Sequence, residues 1–202
     1  MIKSFKDKDT EKLYVTGKSR KFNPSVCKIG LRKLDYLNAA HNLNDLRVPP
    51  GNRLEALKGN YEGKHSVRIN DQYRIVFRFE GSHAYDVEIT DYHLKKGGNM
   101  ITLKRKPTHP GEILKKEFLE PLGMTQSQLA KEIHTTFRTI NEIVKEKRNI
   151  SPEMAIRLSR YFETSAELWL NLQSQYDLYV VKEKKMDDLK EIKPLRKKPV
   201  NI

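Results

Sequence analysis

The sequence predicts two units of different class in one chain. An α+β unit over residues 1–93, with two helices packed on a small antiparallel-rich sheet, precedes an all-α unit over residues 110–181. Three observations carry this division. Apolar residues alternate late in the first half but recur at helical spacing through the second, and the change of period falls across Thr90–Glu112. Between the two patterns stand Lys95-Lys96 and Gly97-Gly98, polar residues with high backbone entropy and no face to bury, so residues 94–109 read as a connector. In the second half, each break between apolar stretches carries a residue able to cap a helix.

In chain order, Met1–Phe5 suits a short strand, and Lys6–Thr16 is charged and helix-capable, with Leu13 and Tyr14 as its apolar side. Gly17–Asn23 interrupts it. Pro24 stands where a first-turn proline is tolerated, Asn23 can cap, and Val26, Ile29, Leu34, Leu37 and Ala40 give the helix one buried face to about His41. Asn42–Asn52, with Pro49-Pro50-Gly51, reads as irregular. A meander follows, with a short strand near Leu54 and Leu57, then Ser66–Ile69, Tyr73–Phe79 and Ala84–Tyr92, joined by turns at Asn70-Asp71-Gln72 and Gly81-Ser82. Strict alternation sends Val67, Ile69, Tyr73, Ile75, Phe77, Phe79, Tyr85, Val87 and Ile89 toward the helices. It leaves Arg68, Arg74, Arg78, Glu88 and Tyr92 on an exposed opposite face.

Composition narrows the partners. The 202 residues carry a formal charge of +13, of which residues 1–93 hold +5 (17 basic, 12 acidic) and the remainder +8 (22 basic, 14 acidic). Both halves suit a polyanion, which favours nucleic acid over an acidic small substrate. Cys27 is the only cysteine, which excludes an intrachain disulfide and a cysteine-cluster zinc site, and its apolar helical setting makes it a structural thiol. No run reaches the roughly 20 apolar residues of a membrane span, and MIKSFKDKDTEK lacks a signal-like segment, so the expected compartment is cytoplasmic, with no membrane partner.

A sheet face bearing arginines and ending in Tyr-His suits phosphate binding and RNA cleavage. Guanidinium forks match phosphate oxygens. The cut needs a proton shuttle for the 2′-hydroxyl and charge stabilisation at phosphorus, so it calls for no metal and no cofactor. The bland alternative is a half-solvated sheet kept soluble by its arginines. Beyond these residues, the whole of 1–93 resembles the RelE-related toxins of the HigB type, through MIKSF, the DxxxEKLY helix, NRLEALKG at 52–59, SVRINDQYRIVFRF at 66–79 and DVEITDYH at 86–93. The resemblance implies a ribosome-dependent endoribonuclease that cuts messenger RNA in the decoding site. It assigns Arg68 and Arg74 to the scissile phosphate and makes Tyr92 and His93, with Asp91 beside them, the active-site end. Lys58 and Arg78 become RNA contacts. Where some relatives carry a histidine this chain has Glu55, whose charge would repel phosphate, so the division of acid and base among His93, Tyr92 and Lys58 stays open.

In the second unit, His109-Pro110-Gly111 precedes a helix over Glu112–Glu120, with Ile113, Phe118 and Leu119 inward, ended by Pro121 and Gly123. Thr125 and Gln128 have capping-box spacing for Gln126–Ile133. Thr135 or Thr136 opens a third helix to Val144, Ser151-Pro152 a fourth, and Thr164 or Ser165 a fifth holding Leu168, Trp169 and Leu172 in the core. Two short helices joined tightly, the second polar outward, form a helix-turn-helix pattern. PTHPGEILKKEFLEPLGMTQSQLAKEI and ISPEMAIRLSRYFETSAELWLNLQSQYDL resemble the HigA-type helix-turn-helix antitoxins, related to phage repressors, over residues 106–178. That resemblance implies a lambda-repressor-like fold, binding to the cognate toxin in cis or in trans, a homodimer, and repression through operator DNA. Gln126 would meet the DNA backbone, and Thr136, Arg138, Thr139 and Asn141 bases or phosphates. His134 and Glu146 replace the family's two turn glycines, at a cost of about 1 kcal/mol each in a left-handed turn.

Lys182–Ile202 reads as a charged, mostly disordered tail, with Asp187–Ile192 helix-capable. Such pairs are ordinarily separate chains, and Met100 falls where the antitoxin would start, so the chain reads as a fused pair. The connector can extend about 50 Å, enough for docking within one chain or between two. The alternative is a DNA-binding regulator whose first unit is an inactive docking or dimerisation module.

Overall fold

Residues 1–91 and 105–190 are described by a computed structural model of the chain. The first unit opens with α1 (Lys8–Thr16), whose N-cap Asp7 accepts the Asp9 and Thr10 amides and whose end is a left-handed Gly17. Helix α2 (Pro24–Ala39) starts as expected, with Asn23 accepting the Val26 amide and Pro24 in its first turn. The stretch expected to be irregular contains α3 (Leu43–Arg47) and a 3₁₀ turn, Pro50–Asn52. One helical turn is too short to show a period. Its signal is the reciprocal capping box of Asn42 and Asp45.

Four antiparallel strands follow in spatial order: β1 (Glu55–Ala56), β2 (His65–Arg68), β3 (Tyr73–Glu80) and β4 (His83–Asp91). The amino terminus lies parallel to β4 through bridges Ile2–Ala84 and Phe5–Val87. Leu13, Val26, Leu34 and Leu37 of the helices bury themselves with Val67, Ile75, Phe77, Val87 and Ile89 of the sheet. Alternation fails at one place. The β3–β4 register shifts between Val76 and Arg78, and Asp86 is left-handed at φ 53°. This bulge puts one extra residue into β4, so Tyr85 pairs with Arg78 instead of facing the core, and Ala84 is buried in its place.

In the second unit, α4 (Pro110–Ile113) runs into a π-helical stretch, Leu114–Leu119. Then come α5 (Gln126–Glu132), α6 (Phe137–Val144), α7 (Pro152–Phe162) and α8 (Ala166–Lys190). Thr125, Thr136 and Ser151 are the caps, and Ser165 accepts the Leu168 amide at the head of α8. Trp169 is fully buried against Phe118. Gly111 is obligatory, because a Cβ there would lie 1.8 Å from the Ile143 carbonyl oxygen, so α4 crosses α6 at backbone contact. His134 and Glu146 do take left-handed conformations, at φ 51° and 59°. The expected disordered tail is corrected over its first part, since α8 runs on to Lys190. Its YVVKEKKMDDLK run is rich in helix formers and lacks proline, so helix propensity favours it.

Candidate functional site

The outer face of the sheet brings Arg68 and Arg74 side by side, as direct partners in the β2–β3 ladder. Arg74 is held at three points: its Nε donates to Ser66 Oγ at 2.9 Å, Nη2 donates to the Arg53 carbonyl at 3.1 Å, and Nη2 pairs with Glu55 Oε2 at 2.9 Å. Arg68 pairs with Asp71 and donates to the Asn70 carbonyl at 3.2 Å. This face is more enclosed than alternation predicts. Val76, Glu88 (2% exposed) and Thr90 are buried, and Lys6 reaches Glu88 with its ammonium 5.3 Å from the Tyr61 ring. The arginines therefore line a shelf. Sequence reasoning missed Ser66, although its outward phase two residues before Arg68 marks it.

The other expected residues separate. Thr90, partnered with Arg74 in the β3–β4 ladder, leads along this face toward the end of β4. Asp91 partners Tyr73 on the opposite alternation and accepts from Gln72 Nε2 at 2.7 Å, so it does not join the arginines. Arg78 is turned aside by the bulge, with its guanidinium 4.9 Å from the Tyr85 ring and ion pairs to Glu80 and Asp86. Lys58 is exposed in the turn after β1. Tyr92 and His93 lie outside the described residues.

Helices α5 and α6 form the second candidate surface. The Thr136 hydroxyl caps α6, Thr136 and Thr139 are exposed or half-exposed at its head, and Arg138 is 85% exposed. Asn141 donates to Gln126 Oε1 at 2.9 Å, which ties the start of α5 to α6. Glu142 is held by Arg138 at 2.8 Å and Arg148 at 2.7 Å. Their hydrogen bonds keep its carboxyl below the usual carboxylate range. The Glu142 charge near this surface is thus neutralised locally.

Comparisons with known proteins match both units. A family described as "RelE-like toxin of type II toxin-antitoxin system HigB" matches residues 3–93, and a helix-turn-helix family matches residues 115–169. Toxin HigB-1 of Vibrio cholerae is 46% identical over 80 residues, 39% of this chain and 84% of that protein. Antitoxin HigA-1 of the same organism is 35% identical over 96 residues, 48% of this chain and 90% of that protein. Virulence-associated protein I of Dichelobacter nodosus is 48% identical over 77 residues, 38% of this chain and 71% of that protein. The chain belongs to the HigB–HigA toxin–antitoxin family, with both members fused.

The antitoxin unit grips the toxin unit on its helical side. Asp35, 1% exposed, accepts from Arg105 Nη1 (3.0 Å) and Nη2 (2.6 Å) and from the Thr108 amide (2.9 Å) and hydroxyl (2.6 Å). Arg105 also donates to the Tyr14 carbonyl at 2.7 Å and lies over the Tyr14 ring. Residues 105–109 of the expected connector are thus held against the toxin. Glu117, on the π-helical stretch, accepts from Arg32 Nε at 3.0 Å and Lys33 Nζ at 2.9 Å, and Lys33 also donates to Asn52. Burial pushes the Lys33 ammonium pKa down, against the opposing pull of Glu117. Asp45 accepts from the Ser165 amide at 2.7 Å and hydroxyl at 2.8 Å. No helix among the described residues is long and apolar enough to cross a membrane.

Proposed function

We propose that the toxin unit is a ribosome-dependent messenger-RNA endonuclease and that the antitoxin unit restrains it and represses its own operator. The observation that supports this best is the pairing of Arg68 with Arg74 on one shelf, beside the strand that leads toward Tyr92 and His93. Two guanidinium forks set a ladder step apart can grip a scissile phosphate and stabilise the charge that builds on it. The 2′-hydroxyl attacks phosphorus, its proton passes to a base, and the leaving 5′-oxygen takes a proton from an acid. Tyr92, His93 and Lys58 are the candidates for those two roles.

Restraint works from the far side of the sheet. The antitoxin contacts fall on α1, α2 and α3, while the partners that Arg68, Arg74 and Arg78 find among the described residues all belong to the toxin. The antitoxin's bulk then obstructs docking on the ribosome and leaves the phosphate shelf unplugged. The α5–α6 pair is the operator-binding element, with the α6 head entering the major groove, and a homodimer would match a two-fold operator. Producing residues 1–93 with and without residues 105–190 tests this: growth arrest and messenger cleavage are expected from the toxin unit alone, abolished by Arg74→Ala or His93→Ala. One observation favours the second reading, an inactive docking module: Glu55 already occupies the Arg74 fork. Unchanged growth with residues 1–93, proven folded, would establish it.

A further inference from the structure

We propose that Phe137 is a base-reading residue that recognises the 5-methyl group of a thymine in the operator's major groove. The inference rests on the operator-binding reading above and adds to it the residue and the base. Phe137 is 52% exposed, although the same helix buries Ile140 and Ile143 completely. It is the first residue of α6, directly after the cap Thr136 and before the exposed Arg138. In a helix-turn-helix, the head of the second helix is the part that meets base edges.

The neighbouring polar groups on α6 are engaged with one another. Arg138 is bound to Glu142, the Asn141 amide to Gln126, and the Thr136 and Thr139 hydroxyls to each other at 2.9 Å. The Phe137 ring is the large apolar surface left at this end. Of the other exposed large apolar side chains, Ile156, Leu178 and Val181 sit on α7 and α8, Leu122 in the turn before α5 and Met1 at the amino terminus, none of them on α6. In the major groove the thymine methyl is the apolar feature that distinguishes bases, and a phenyl ring is a suitable partner for it. A charged or hydrogen-bonding base edge would leave the ring facing unsatisfied polar atoms. Exposed cations follow the other end of the same helix at Lys145, Lys147 and Arg148, the last paired with Glu142, which fits a polyanionic occupant of this helix better than an apolar protein surface.

The test uses the full chain and duplex DNA from immediately upstream of its coding sequence, with each thymine replaced in turn by deoxyuridine, which removes only the methyl group. Binding of the unsubstituted protein should weaken roughly fourfold at one thymine per half-site, the worth of burying one methyl-sized group. Phe137→Ala should bind thymine DNA more weakly and lose the thymine–uracil difference at that position, and Phe137→Leu should retain part of it. Equal binding to every uracil-substituted duplex by the unsubstituted protein overturns the assignment, whatever the variants do. Undiminished discrimination by Phe137→Ala overturns it equally. If the unsubstituted protein fails to bind the upstream DNA at all, the operator-binding reading falls first, and this inference with it.

Discussion

On the helical side of the toxin unit, Asp35 and Asp45 are buried carboxylates whose donors come largely from the antitoxin, and Lys33 is buried and Arg32 nearly so, with Glu117 between them. On the sheet side, Arg74 meets Glu55 and Arg68 meets Asp71, the same chemical pairings, but these carboxylates are largely exposed. Solvent makes the difference. A buried pair that loses one member leaves an uncompensated charge, so its partners are fixed. A pair with one partner in water contributes about 0–1 kcal/mol, so an incoming phosphate can displace the carboxylate. One side of the toxin is a fixed clamp, and on the other the ion-pair partners are exchangeable.

The largest effect should come from breaking the clamp. Asp35→Asn leaves Arg105 buried beside a neutral group and should lower stability by about 3–5 kcal/mol, read from urea unfolding of the full chain. A loss under about 1 kcal/mol would mean the clamp is solvated. Next, Arg74→Ala should cut messenger cleavage by the toxin unit about 10²–10³-fold while changing its stability by less than about 1 kcal/mol. Equal damage to stability and cleavage would erase the distinction between the two sides. Replacing the competitor at the anion site, Glu55→Gln should raise cleavage by up to about fivefold, measured as rate on a defined messenger.

The smallest effect concerns pH and belongs to the clamp side. His109 caps α4, and its Nδ1 accepts the Gly111 amide at 2.9 Å, so the ring must be unprotonated there. Burial against Tyr176 lowers its pKa below 6.5, with Glu146 and Asp177 opposing and Lys106 assisting. The folded state therefore binds fewer protons than the unfolded chain. The contribution is complete above about pH 6.5 and declines as pH falls toward the lowered folded-state value. His109→Asn should flatten the change in urea midpoint between pH 7.5 and 5.5, and an unchanged slope would assign it to other groups.

Much of the fold was legible because its signals are local. Asn23-Pro24, Thr125 with Gln128, and Ser151-Pro152 each fix a helix start through bonds that span three residues. His134 and Glu146 were recognisable as left-handed turns because the resemblance places glycine there. The β4 bulge was not legible, since Asp86 carries no mark that separates a bulge from an ordinary outward residue, and the misplacement of Tyr85 followed from it. For the candidate site, the alternation of β2 and β3 sufficed to put Arg68 with Arg74, while the same rule puts Asp91 on the other face.

From the chain alone come the order of two units, their capped helices, the arginine phase of the sheet and the polar head of α6, because each depends on residues a few positions apart. The tertiary structure alone decided that Asp35, Asp45 and Glu117 are interior groups and not surface charges. Their partners stand 70 to 120 positions away in the chain, 70 for Asp35 with Arg105, 84 for Lys33 with Glu117 and 120 for Asp45 with Ser165. A carboxylate reads as solvated until the fold supplies its donors.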